Sequence, residues 1–383
     1  MTRLIEFVIA LALVLALFLV IGLVLPSKRH LVESVETNRR MTIVYDTLNN
    51  VRRLKDWSPL LPNNPAELSY SDNVSGVGAR VEYDSPGYWG KGRWEITHSE
   101  APQAGGGGSI AYAIENKTSG KNKKTLFTLE PAGKNGRNVK ITQTYDVEYG
   151  WNIVGRYAGM YVSRHVGDAL KAGLSKLTNM LATVPNFDYR VEGSKLTDLR
   201  VVDLPAEDIL FVNAGNIDRS NETIKASIKA NQEWIKRVMD ANGLVAAGPL
   251  RIITTDFGTE KYAFDVAQPV RKRSGPAPTE GDDAATDEAP ASTEPVAASG
   301  EPLKVTIPSG APVEYVRLQP RKSAAAKYTG YMAELDAVRN SLRAWAVTDG
   351  HEVVDRPYES WNKGVDTSFT AEGEFDVYWA IKH

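Results

Sequence analysis

From Phe7 to Leu25 the chain runs nineteen residues without a charge. At about 1.5 Å per residue, a helix of that length reaches close to ~30 Å, the hydrocarbon thickness of a bilayer. Arg3 precedes the run and Pro26-Ser27-Lys28-Arg29 stops it. The apolar core is too long for a cleaved signal peptide and no small-x-small site follows, so the pattern predicts an uncleaved single-pass transmembrane helix over 4–26. Beyond it the period changes. His30–Glu36 alternates as a strand does, and Met41, Val44, Tyr45, Leu48 and Val51 recur at helical spacing. Short alternating stretches follow at Gly78–Tyr83, Lys91–His98, Ser109–Glu115, Lys124–Leu129 and Val139–Val147, with turn-rich pieces between them. Strands in direct succession predict an antiparallel sheet. Val166, Leu170, Gly173, Leu174, Leu177 and Leu181 then form one stripe of a long amphipathic helix spanning Val154 to Leu181. Gly159, Gly167 and Gly173 would let a sheet or a ligand approach that helix closely.

The second half repeats a motif. Val201–Ala214 is strand-like, Ile224–Asn242 is a helix, and Leu250–Thr254 and Lys261–Ala267 are strands. A comparable series returns as the strand Glu314–Leu318, the helix Met332–Thr348, and the strands Val353–Glu359 and Glu374–Ile381. The pattern is a strand–helix–strand–strand unit used twice. Between the copies, Ser274–Pro302 carries seven acids, no base and no aromatic residue. Such a segment cannot bury enough apolar surface to offset its ordering entropy, so a disordered insertion is expected over 271–303. The whole reads as an α+β chain: a transmembrane helix, an antiparallel sheet gripping a long helix over 28–184, and a duplicated domain over 198–383.

Composition removes several chemistries. Without cysteine there are no disulfides, thiolate metal sites or cysteine nucleophiles. The five histidines share no helical i, i+3 or i+4 spacing and no HExxH pattern, so no metal site is expected. The four-glycine run Gly105–Gly108 lacks the lysine of a phosphate-binding loop, and no Gly-x-Ser-x-Gly elbow occurs. A formal net charge of −2 gives no electrostatic footprint for nucleic acid. No cofactor and no catalytic residue is assigned. Charge counting around the apolar helix favours a cytoplasmic C-terminal side, whereas a short N-terminal tail is what signal anchors leave inside; both orientations stay open.

Several landmarks tie the first soluble region to a known fold. Trp57-Ser58-Pro59 follows the first helix, Gly76-Val77-Gly78 opens a strand, and Gly90-Lys91-Gly92-Arg93-Trp94, Phe127-Thr128-Leu129-Glu130-Pro131 and Val154-Gly155-Arg156-Tyr157 come in order. This arrangement resembles the START-like, polyketide cyclase (SRPBCC) superfamily. The resemblance implies a curved sheet wrapped around a helix, with an apolar cavity between them. The duplicated region resembles the effector-binding domain of AraC-type regulators and gyrase-inhibitor-like (GyrI-like) proteins. It does so through Leu204-Pro205-Ala206, Gly243-Leu244 with Gly248-Pro249, Lys327-Tyr328-Thr329-Gly330-Tyr331 and Asp376-Val377-Tyr378-Trp379-Ala380-Ile381. There two units are expected to face each other across a groove whose acids and aromatics contact cationic, lipophilic compounds. Asp376 matches the family's acid position, while Ala380 stands in place of its usual proline.

The candidate ligand-binding residues are Trp57, Tyr83, Trp94 and Tyr112 in the first region, with Trp89 and Tyr145 as further lining. In the second they are Glu359, Trp361, Glu374, Asp376 and Tyr378. Carboxylates among aromatic faces attract cations. On an alternating strand Glu374, Asp376 and Tyr378 share one face, and Phe375, Val377 and Trp379 the other. A bland assignment makes the first set a solvated face and the second a core. The expected function is binding of a small hydrophobic or amphipathic ligand, lipid-like or polycyclic, by a protein anchored in a bacterial inner membrane. The alternatives are a cyclase- or hydrolase-type enzyme using one cavity, and a protein-binding signalling module.

Overall fold

The computed structural model describes residues 2–62, 64–86, 90–103, 105–190, 196–273, 297–298 and 300–382. Its architecture is α+β, with an N-terminal apolar helix and two large antiparallel sheets. The chain divides into two compact units. The first runs to Asn186 and takes in Thr348–Gly350; the second takes the remainder from Phe187.

In the first unit, helix α1 (Thr2–Val24) is long and apolar enough over Arg3–Val24 to cross a membrane. β1 (Lys28–Thr37), α2 (Met41–Leu48) and α3 (Leu54–Trp57) follow. A meander comes next: β2 (Leu68–Tyr70), β3 (Arg80–Ser85), β4 (Gly90–Glu100), β5 (Gly108–Asn116), β6 (Lys121–Ala132) and β7 (Asn138–Glu148). These strands form one sheet in the order β1-β7-β6-β5-β4-β3-β2. β5 and β7 alternate buried and half-buried positions almost perfectly, which is the period-2 signature of a sheet with one face on the core. The sheet closes on a helix, but that helix is broken. α4 (Ile153–Gly159) ends two residues before α5 (Val162–Ala182) begins. The predicted stripe is the buried one: Leu170, Gly173, Leu174, Leu177 and Leu181 all face inward on α5, as does Gly167. Val166 is only half-buried. A Cβ at Gly173 would lie 3.1 Å from Pro59, so close packing of the helix explains that glycine.

The second unit is built around a pseudo-twofold relation. Its elements are β8 (Leu196–Leu204), β9 (Glu207–Asp218), α6 (Asn221–Ala241), β10 (Leu244–Ala246), β11 (Arg251–Phe257) and β12 (Lys261–Lys272). Then come β13 (Val313–Leu318), β14 (Arg321–Thr329), α7 (Leu335–Thr348), β15 (Tyr358–Trp361), α8 (Gly364–Ser368) and β16 (Glu374–Ala380). The sheet order is β13-β9-β12-β11-β15-β16-β14-β8, with β10 beside β12. Read from either end the order is the same: an arm, then three strands of one copy. Each arm crosses over, so that β8 leads into the first copy but pairs with β14 of the second, while β13 does the reverse. The single strand expected over Val201–Ala214 is therefore two, parted at Pro205-Ala206, where a proline cannot extend the ladder. Glu314–Leu318 is the arm, not the first strand of the second copy, which is β14. Arg271 and Lys272, expected in the insertion, end β12 and pair with Val245 and Leu244. The remainder of that expected disorder lies mostly outside the described residues.

Both long helices cover the same face of this sheet. Ile224, Ile228, Ile235 and Val238 of α6 share a core with Leu335, Val338, Leu342 and Ala346 of α7. From the sheet come Leu210, Val212, Ile252, Phe264, Val266, Ala324, Ala326, Phe375 and Val377. The register places the residues between these on the opposite, helix-free face.

Candidate functional site

The helix-free face carries a second, smaller cluster. Leu204, Ala325, Tyr358 and Tyr378 pack together there, with Val202 and Ile253 against them. Neighbouring strands bring them side by side: Tyr358 pairs with Tyr378, Tyr378 with Ala325, and Ile253 with Tyr358. The two tyrosine rings stack with centroids 5.0 Å apart and planes 18° from parallel. Below them lies a buried ion pair. Arg251 on β11 donates from Nη2 to Glu207 Oε1 at 2.6 Å and from Nη1 to Oε2 at 2.9 Å, in a two-pronged contact between side chains 3% and 2% exposed. The Arg251 guanidinium also sits 4.9 Å from the centre of the Tyr358 ring, and that of Arg321 sits 5.6 Å from it. Burial works against the Arg251 charge, but the hydrogen-bonded Glu207 carboxylate favours it and the guanidinium stays charged. Burial raises the phenols of Tyr358 and Tyr378 as well, so both stay neutral.

Asp376 lies on the same face, opposite Lys327 and Ser360 in the register. It is buried, and its Oδ2 accepts from Asn362 Nδ2 at 2.9 Å. Burial pushes its carboxyl up, against the opposing pull of Asn362, Lys327 and Arg200. Four buried polar atoms of this face have no hydrogen-bond partner among the described residues: Arg251 Nε, Ser323 Oγ, Tyr358 Oη and Asn362 Oδ1. Buried polar groups are nearly always paired, so each unpaired group calls for an explanation, of which a bound partner is one.

The predicted acidic and aromatic group is divided by the sheet. Asp376 and Tyr378 share the helix-free face as their alternation required, but that face is not solvated: both are 3% exposed. Glu374 is at the strand's end, half-buried, with Lys363 Nζ 2.6 Å away. Glu359 and Trp361 are on the other face, under the helices. Arg339 on α7 donates to Glu359 at 2.6 and 3.0 Å and reaches the Tyr262 hydroxyl at 3.3 Å. Trp361 is core, edge-on to Phe375 and Phe369. Their grouping with Asp376 is corrected by parity: adjacent residues on a strand point to opposite sides. None of Glu359, Glu374 and Asp376 lacks a partner, so neither face is an acid-lined cation trap.

In the first unit Trp57, Trp94 and Tyr112 interlock as core. Trp57 meets Phe127 edge-on at 5.6 Å, Tyr112 meets Phe127 at 6.2 Å, and Trp94 meets Tyr112 at 5.9 Å. The Tyr112 hydroxyl donates to the Leu48 carbonyl. Tyr145 is buried too, and Trp89 lies outside the described residues. Tyr83 alone borders a concavity, an open depression of about 780 Å³ lined also by Glu67, Asp84, Arg93, Glu115 and Asn116. That depression has many charged residues in its lining and lies at the β2–β5 end of the sheet, not in the hollow expected between sheet and helix. Among the described residues no group of histidine, aspartate or glutamate is arranged to hold a metal ion.

The sequence reading missed Glu207 and Arg251. Each sits at the beginning of its strand, where charged and aromatic residues are unremarkable. The one available signal was Arg251 opening an otherwise apolar run, since a base facing into a sheet demands an acid.

No family model matches the chain, and no curated protein matches it. Partial likenesses exist to solved structures. The EcmrR C-terminal domain is 12% identical over 48% of this chain and 97% of its own, with a TM-score of 0.34. EcmrR in a DNA complex is 12% identical over 60% and 72%, with a TM-score of 0.35. Norcoclaurine synthase from Thalictrum flavum, in complex with dopamine and hydroxybenzaldehyde, is 13% identical over 42% and 91%, with a TM-score of 0.31. At these identities and scores the likenesses assign neither a family nor a function.

Proposed function

We propose that this protein binds a small amphipathic molecule on the helix-free face of the second unit's sheet, while α1 anchors it in a membrane. The observation that carries the proposal is the combination on that face of an apolar, aromatic floor with unpaired buried polar atoms. Leu204, Ala325, Tyr358 and Tyr378 offer an apolar body a surface. Arg251 Nε and Ser323 Oγ offer its polar end a donor each, and Asn362 Oδ1 an acceptor. Binding sites of this type are apolar with a few placed polar groups. Arg321 is half-buried over Tyr358, so entry displaces a long, flexible side chain rather than backbone. The balance of charge favours a neutral or zwitterionic ligand over a simple cation. Anchoring concentrates the site where such molecules partition.

Native mass spectrometry of the detergent-extracted full chain tests this. The expected result is a bound small molecule that Tyr378→Ala releases. A bare polypeptide mass, or an adduct indifferent to Tyr378, contradicts it.

A further inference from the structure

α4 carries two opposite faces. Gly155, Arg156 and Gly159 are buried; a Cβ at Gly159 would lie 2.7 Å from the Tyr149 ring, so that face packs tightly. Val154 and Ala158 on the other side of the helix are open, as are Trp151 just before it and Met160 and Tyr161 just after it. Trp151 is 84% exposed, Val154 69% and Tyr161 61%, with Met160 beside them at 52%. A contiguous apolar patch of this kind on a small element marks a surface that something covers.

The contacts of the buried side say what. Arg156 Nη1 donates to the carbonyls of Gly22, Leu23 and Leu25 at 3.3, 2.8 and 3.3 Å, satisfying the open C-terminal end of α1. Its Nε donates to Gly150 at 2.8 Å, which ties that end to the turn before α4. Gly22 of α1 is buried against Ile153 and Tyr157, where any side chain would collide with Ile153. The Tyr157 hydroxyl donates to the Phe18 carbonyl at 2.8 Å, and the Phe18 and Tyr157 rings stack at 4.5 Å. Phe18 lies six residues before the end of α1, roughly 9 Å along the helix at about 1.5 Å per residue. α4 is therefore fixed alongside the last apolar turns of α1, not beyond them.

We infer that α4 is an interfacial helix whose Trp151–Tyr161 face is buried in the lipid of the same bilayer that α1 crosses. The inference rests on reading α1 as membrane-spanning. Tryptophan and tyrosine are the residues that settle at the headgroup level, and amphipathic helices lie there with their apolar face in the acyl boundary. Arg156, whose guanidinium also lies 5.8 Å from the centre of the Trp151 ring, bonds to the end of α1 and is the one charged residue between Trp151 and Tyr161. The first unit would thus be held against the membrane by two elements rather than swinging on one.

The absence of cysteine makes the test clean. Single cysteines are introduced in the full chain by Ala158→Cys, Trp151→Cys, Val14→Cys and Lys134→Cys. Each variant is spin-labelled and reconstituted in phosphatidylcholine–phosphatidylglycerol vesicles. Collision with apolar oxygen is compared with collision with a water-soluble nickel chelate. The expected oxygen-to-nickel ratio at positions 158 and 151 is several-fold above that at position 134, and below that at position 14. If position 14 is lipid-exposed but 158 and 151 match 134, the interfacial helix is refuted while the spanning helix stands. If 158 and 151 meet neither reagent, protein covers them and the inference is refuted in favour of a protein interface. If position 14 meets the nickel chelate freely, both readings fall.

Discussion

The second unit contains two nearly identical ion pairs on opposite faces of one sheet. Arg339 holds Glu359 at 2.6 and 3.0 Å, and Arg251 holds Glu207 at 2.6 and 2.9 Å. Both are buried and both touch a tyrosine, Tyr262 in the first case and Tyr358 in the second. What separates them is the roof. Arg339 comes from α7 and ties that helix to the sheet, with the common core around it. Arg251 and Glu207 both come from strands, so their pair joins no helix to the sheet. Neither pair need contribute net stability, since desolvating two charges offsets most of their attraction. The lesson is that burial and pairing alone do not mark a site; the pair with no helix to hold is the one proposed to face a ligand.

Variants can break this comparison. The largest effect is expected from Arg339→Met, which strands Glu359 as an unpaired buried charge and should cost about 3–5 kcal/mol in urea unfolding. Adding Glu359→Leu should restore most of that stability, and the restored protein should retain its ligand in native mass spectrometry. Glu207→Leu with Arg251→Met should likewise fold near wild-type stability, but here the bound mass should vanish. Retention of the ligand by the second pair of changes would erase the distinction between the faces.

A smaller effect sharpens the same point through pH. Asp376 has its folded pKa raised by burial, so the folded state takes up its proton more readily than the unfolded chain. Its contribution is fully present below the ordinary carboxylate value and is lost as pH rises through the raised one. Asp376→Asn should flatten that part of a melting-temperature-versus-pH curve and make the protein slightly more stable at neutral pH. The smallest effect is expected at Glu374, whose partner Lys363 is 45% exposed. Glu374→Gln should stay within about 0.5 kcal/mol of wild type and leave the ligand bound.

Much of the fold was legible where one face of an element meets water. The stripe on α5 and the alternation of β5 and β7 needed no more than counting. Legibility failed where both faces are buried. β14 has four consecutive buried residues, Ser323 to Ala326, and its three alanines favour a helix as readily as a strand. The same condition hid the site. In β16 everything from Phe375 to Tyr378 is buried, so parity could separate the two faces but could not say that the one bearing an acid was also enclosed. Glu207 and Arg251 are 44 residues apart, and only the sheet order, with β9 and β11 on either side of β12, brings them together. The break between α4 and α5 was missed for a different reason: the stretch holds no proline, and glycines within a helical pattern do not say where it stops.

The most direct test of ligand binding is to map where an amphipathic probe reacts. The full chain, in detergent, would be irradiated with a diazirine-bearing alkyl amide and its peptides sequenced. Adducts on 358–362 and 374–380, lost in the Glu207→Leu, Arg251→Met variant and kept in the Arg339→Met, Glu359→Leu variant, are the predicted result. Adducts confined to α1 and α4, or second-unit adducts that persist unchanged when Glu207 and Arg251 are replaced, would contradict it.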